Sequence, residues 1–118
     1  MDLSQFAKAL ESIDIHALNK RIAGDECHFL ESDINQFTPV DTGNLKSRNN
    51  VIPEADGSIL ITNDADYAQE VEYGHRKANG GFVEGQFFVK KGIDQWQRGF
   101  SERYINELNR ELKSKGIG

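Results

Sequence analysis

The chain opens in a helical period. Leu3, Phe6, Leu10 and Ile13 recur at spacings of three and four, which predicts a helix with one apolar face. The pattern resumes with Leu18, Ile22, then Phe29 or Leu30, Ile34 and Phe37, predicting a second and longer helix. Asp14 stands where it can cap that helix, with Ala17 at the third position. Gly24-Asp25 is a weak point where a bend is expected, since a helical glycine costs about 1 kcal/mol. Pro39 disfavours helical backbone at Thr38, so the helix should end near Phe37.

The period then shortens. Val51-Ile52-Pro53-Glu54 and Ser58-Ile59-Leu60-Ile61-Thr62 are β-branched runs around Ala55-Asp56-Gly57, predicting a hairpin with Asp56 and Gly57 both at positive φ. Pro53 cannot donate to a ladder and belongs on an edge. Two strands alone are marginal, so the hairpin must pack on helices or join other strands. A short helix is expected from Tyr67 to Tyr73, lined by Ala68, Val71 and Tyr67. Asp66 and Gln69 have capping-box spacing there, and Gly74 falls where a glycine ends helices.

Residues 75–86 carry three glycines and no period, and read as a long mobile loop with a brief strand at Phe82-Val83. Ile93, Trp96, Phe100, Tyr104, Leu108 and Leu112 then mark a last helix, closed by Gly116. Its aromatic stripe is expected to be core or interface. There are no internal repeats and no low-complexity tract. The predicted fold is a single α+β domain over residues 1–118: a small, mostly antiparallel sheet packed against long N-terminal and C-terminal helices.

Composition narrows the function. The 118 residues suit one domain with a modest core. A net charge of −5 argues against a general nucleic-acid-coating protein. No apolar run reaches the roughly 18–20 residues of a membrane span. Met1-Asp2-Leu3-Ser4-Gln5 has neither the basic stretch nor the apolar block of a secretory signal. The one cysteine, Cys27, has no internal disulfide partner, which points to a reducing interior. A soluble, acidic, cytosolic chain is expected.

The charge is uneven. Residues 1–87 hold 7 basic and 15 acidic side chains, and residues 88–118 hold 7 and 4. Such a dipolar chain suits stacking against copies of itself; the plainer reading is a solvated basic helix.

Catalytic signals are sparse. Cys27 and His28 would point about 100° apart on a helix, and His16 is twelve residues from His28, so no metal site is expected. His75-Arg76 follows a helix end. It suits phosphate binding, acid–base work or simple capping of the last carbonyls. No nucleophile accompanies the pair, and Gly80-Gly81 and Gly85 lack phosphate-loop spacing. No enzyme activity and no cofactor are expected. In Thr38-Pro39-Val40-Asp41-Thr42-Gly43-Asn44-Leu45, Asp41 and Thr42 are placed to cap a short helix starting near Gly43.

In chain order, these segments resemble a known family. The stretch Thr38-Pro39-Val40-Asp41-Thr42-Gly43-Asn44-Leu45-Lys46 comes first, followed by the hairpin. Tyr67-Ala68-Gln69-Glu70-Val71-Glu72-Tyr73-Gly74-His75-Arg76 and Phe82-Val83-Glu84-Gly85-Gln86-Phe87-Phe88 come next. Together they look like the tail-completion, or head–tail joining, family of long-tailed double-stranded-DNA phages and prophages, across roughly residues 15–112. Many relatives have Gly-Thr in place of Gly74-His75, and a Pro-Phe-Leu approach to the last helix. Gly85-Gln86-Phe87-Phe88 is closer to the branch in prophages of Gram-positive bacteria.

The resemblance implies an α+β fold and a non-enzymatic homo-oligomeric ring, most often a hexamer. Such a ring sits between a head-closure or connector protein and a tail tube protein, and DNA passes through it without specific binding. It implies a place at the virion's head–tail junction, reached from the host cytoplasm during assembly. Assembly contacts are expected at Asp41, Thr42, Asn44, His75, Arg76, Lys77, Phe82 and Val83, with Ile93, Trp96, Phe100, Tyr104 and Leu108 as core or interface stripe. Two alternatives remain open at this point. One is a tail terminator or another minor tail or capsid component. The other is a small nucleic-acid-processing enzyme or toxin using His75 and Arg76.

Overall fold

A computed structural model describes residues 2–40 and 43–116. In chain order its elements are α1 (Leu3–Glu11), α2 (Ile15–Phe37), α3 (Asn44–Ser47), β1 (Asn49–Pro53) and β2 (Ile59–Asn63). They continue with α4 (Ala68–Tyr73), β3 (Gly74–Arg76), β4 (Phe82–Glu84) and α5 (Phe88–Ser114). The class is α+β, with the long helices α2 and α5 as its frame.

Helix α2 begins where the sequence places it, with Asp14 accepting from the Ala17 N–H at 3.0 Å. It continues through Gly24 without interruption and ends at Phe37, where the Thr38 backbone is extended. Helix α5 runs antiparallel to it. Gly92 lies against Ile34 near one end of the seam, and Arg21 pairs with Glu107 near the other.

Two apolar clusters fill the seam. Cys27, Leu30, Ile34, Leu45, Val51 and Phe88 form the first, with Ile93, Trp96, Ile59 and Ile61 packed against it. Ile13, Leu18 and Ile22 form the second, covered by Phe100, Tyr104, Leu108 and Leu112. Of the two candidates for the inward position, Leu30 is buried and Phe29 is exposed.

The sheet is two separate antiparallel ribbons rather than one. β1–β2 pairs Val51 with Ile61 and Ile52 with Leu60, and lays its inner face on α2. Its turn differs from expectation. Among the described residues Phe87 is the only non-glycine at positive φ, so Gly57 (φ 89°) takes the left-handed position and Asp56 does not. Asp56 instead accepts from the Ser58 N–H and hydroxyl at 3.0 and 2.6 Å, which suits a type I turn closed by glycine. The Asp66 cap also fails to form: α4 starts after Tyr67 with no side-chain cap, although Gly74 does end it at φ 89°.

The largest departure is the predicted loop at residues 75–86. β4 lies where the brief strand was expected, but it pairs with an unforeseen strand, β3, and the segment is a ribbon with a short turn. At the other end, α1 forms as the spacing predicts. Asp2 and Gln5 cap it reciprocally, at 2.8 and 3.2 Å. Its apolar face nevertheless finds no core: Leu3 is 83% exposed, Phe6 39% and Leu10 44%, and only Ile13 beyond it is buried.

Candidate functional site

The ribbon exists because two glycines let the chain double back. A Cβ on Gly74 would stand 2.5 Å from the Val83 carbonyl oxygen, and one on Gly85 would run into the Glu72 carbonyl. The Lys77 N–H then donates to the Gly81 carbonyl at 2.7 Å and closes the turn. Pairing sets His75 opposite Val83 and Arg76 opposite Phe82.

Neighbouring strand residues point to opposite faces, and His75 and Arg76 follow that rule. His75 is half-buried, and its Nδ1 is enclosed without a hydrogen-bond partner among the described residues; Arg76 is exposed. The two side chains therefore do not converge on one reacting atom.

What the ribbon does assemble is a surface. Tyr73 (66% exposed) meets Phe87 edge to face at 6.4 Å. Phe82 (55% exposed) reaches over Gly74, while Val83, next in the strand, shares the opposite face with its partner His75. Phe87 holds φ 50°, a left-handed conformation that costs a side-chain-bearing residue roughly 1–2 kcal/mol. Around these rings stand Arg76, Lys77 and Lys91, all exposed and without an ion pair among the described residues, and Lys90, held 3.4 Å from Asp94. Glu84 is the acid on the ribbon.

The ribbon is anchored from below by Glu72. This buried carboxylate accepts from the Val89 and Lys90 N–H groups at 2.9 and 3.2 Å, capping α5 from another element. Sequence spacing gives no sign of a cap seventeen residues away.

Asn44 sits in a structural network. It donates to the Tyr67 hydroxyl at 3.1 Å and accepts from Arg48 Nε at 3.0 Å, while Arg48 also reaches Asp64 at 2.9 Å. Asp41 and Thr42 lie outside the described residues.

The stripe of α5 faces α2. Trp96, Phe100 and Tyr104 step along the seam with ring centroids 4.7 and 5.8 Å apart, and the Tyr104 hydroxyl donates to Asn19 at 2.8 Å. Ile93 joins the first cluster and Leu108 the second.

Beside the stripe lies a pair that periodicity could not reveal. Arg103 Nε donates to both oxygens of the buried Glu26 carboxylate, at 2.8 and 2.9 Å, and its guanidinium sits 4.5 Å above the Phe29 ring. Open grooves of about 380 and 420 Å³ flank Glu26. Only the co-occurrence of an acid on an inward helical position and an arginine on the facing helix hints at it.

Among the described residues no three His, Cys, Asp or Glu side chains gather to hold a metal. Burial pushes the Cys27 thiol up, keeping it protonated and unreactive. No helix among the described residues is long and apolar enough to cross a membrane.

Fold and surface together define an elongated α+β chain with exposed apolar side chains on α1 and around the β3–β4 ribbon. No family model, curated protein or solved structure matches the chain significantly.

Proposed function

We propose that this chain is a non-enzymatic structural subunit of the head–tail junction in a long-tailed double-stranded-DNA phage or prophage, assembled as a ring of identical copies. The observation that carries the reading is shape. The molecule measures 72 × 22 × 20 Å with a radius of gyration of 19.8 Å, where a compact chain of this length would have about 13–14 Å. So extended a chain cannot cover all its own apolar side chains, and neighbouring copies would cover the rest. The motif resemblance supplies the setting, with a hexamer as the expected ring. The acidic excess over residues 1–87 suits a conduit that repels DNA phosphates. The expected neighbours are a head-closure protein and a tail tube protein.

Electron microscopy of a phage lacking this gene tests the reading. Full heads and finished tails, unjoined, are the expected outcome. Complete virions would overturn it, and tails of irregular length would favour a terminator role.

A further inference from the structure

The two ends of the molecule carry surfaces with nothing on them, and they are matched in character. At one end the α1 stripe of Leu3, Phe6 and Leu10 is exposed. Asp2 precedes it and Glu11 closes it, while at 100° per residue Lys8 lies on the opposite face. At the other end the rings of Tyr73, Phe82 and Phe87 are exposed, and Arg76, Lys77 and Lys91 stand among them. The α1 stripe is flanked by two acids, and the aromatic patch carries three exposed bases against two exposed acids, Glu70 and Glu84.

We infer that α1 of one copy docks on the Tyr73–Phe82–Phe87 patch of a second copy. The inference rests on the assembly reading above and names the two surfaces that make the contact.

Three observations favour a second copy as the occupant. The net charges of the two surfaces are opposite in sign, acidic on α1 and basic around the rings, which orients the encounter and disfavours pairing of two α1 helices or two ribbons. The acidic bracket makes an anionic membrane surface a poor match for α1, since interfacial helices carry basic polar faces. A nine-residue helix whose apolar face is only partly covered is marginal in water, so a docked partner would stabilise it. The connection to α2 is anchored by the buried Ile13 and the Asp14 cap, so α1 is presented in a fixed direction.

Because the two surfaces differ, the contact is heterologous, and repeated contacts of this kind close a ring or extend a fibre. Three side chains bury far less than the roughly 1,200 Å² of a durable pair, so one contact is weak and closure multiplies it.

The test uses purified full-length protein and two variants, each blocked at one end. Phe6→Lys removes the α1 stripe, and Phe82→Lys removes the patch; Arg76→Glu with Lys77→Glu is a second way to disable the ribbon end. Melting temperatures within a few degrees of wild type show that each variant is folded. Sedimentation across concentration should show wild type associating at roughly 0.1–1 mM. Each variant alone should associate at least about tenfold more weakly. An equimolar mixture of the Phe6 and Phe82 variants should give a two-chain complex that grows no further, because one good end of each remains.

A Phe82→Lys protein that pairs with itself as strongly as wild type would overturn the inference, since α1 would then be meeting α1. Variants that both assemble normally would overturn it too. Wild type that stays monomeric to about 1 mM, or associates only when double-stranded DNA is added, would do the same. The outcome is separable from the joining role. A contact confirmed in solution beside a deletion phage that still makes complete virions leaves the contact standing and removes the role. The reverse result removes only the contact.

Discussion

Gly92 of α5 lies so close to Ile34 of α2 that a Cβ on Gly92 would stand 2.5 Å from the Ile34 Cα and 2.6 Å from its Cγ1. A glycine inside a helix costs roughly 0.5–1 kcal/mol against alanine, and here the close approach is its physical reason. Gly92→Ala should therefore destabilise, because forced separation of the helices exceeds the helix-propensity gain. A net loss of about 2 kcal/mol is expected, seen as a lower urea midpoint at unchanged slope. An unchanged midpoint would mean the helices part here freely.

Glu26 and Arg103 form the second coupling across the seam. Arg103→Ala strands a buried carboxylate and removes the stacking on Phe29. A fully buried pair would cost about 3–5 kcal/mol when halved; Arg103 is one-third exposed, so about 2–3 kcal/mol is expected. Replacing both, Glu26→Leu with Arg103→Met, should recover most of that loss. A double variant no better than Arg103→Ala would show that the groove needs the charges.

Trp96 separates packing from hydrogen bonding. Its indole N–H is enclosed with no acceptor among the described residues, while its ring stacks on Phe100. Trp96→Phe should cost less than about 1 kcal/mol, because it deletes an unsatisfied donor. Trp96→Ala should cost about 3 kcal/mol through lost aromatic area. Equal losses in chemical denaturation would place the value in the part of the indole ring that a phenyl group does not fill.

Acid stability should carry a signature of Arg21. Its hydrogen bond to Glu107, at 2.8 Å, holds that carboxyl below its ordinary value. A depressed carboxylate contributes stability above its unfolded pKa, about 4.3, and loses it as pH falls through the lower folded value. The melting-temperature gap between wild type and Arg21→Ala should thus be steady from pH 7 to about 5 and shrink below about 4.3. Solvent reaches both partners, so 1 M salt should shrink it as well. A gap that widens in acid would contradict the assignment.

Much of the framework was legible in the sequence because it depends on local rules. The threes and fours of Leu18 to Phe37 and of Ile93 to Leu112 report helix faces that really do meet, and Asp14 and Gly74 act where their chemistry predicts. The β3–β4 ribbon was hidden because its two glycines are needed for a backbone crossing with Glu72 and Val83, which no period records. Glu26 with Arg103 and Glu72 with α5 were hidden because their partners are distant in sequence. The α1 stripe shows the opposite failure: periodicity announces an apolar face, and nothing in it says whether the same chain will cover it.

The long, narrow outline has a consequence in the test tube. A particle more than three times as long as it is wide meets more friction than a sphere of its mass. It should elute early from a gel-filtration column and sediment slowly, so a single chain would pass for a pair on elution volume alone. Counting copies of this protein therefore calls for a measurement of mass rather than of size.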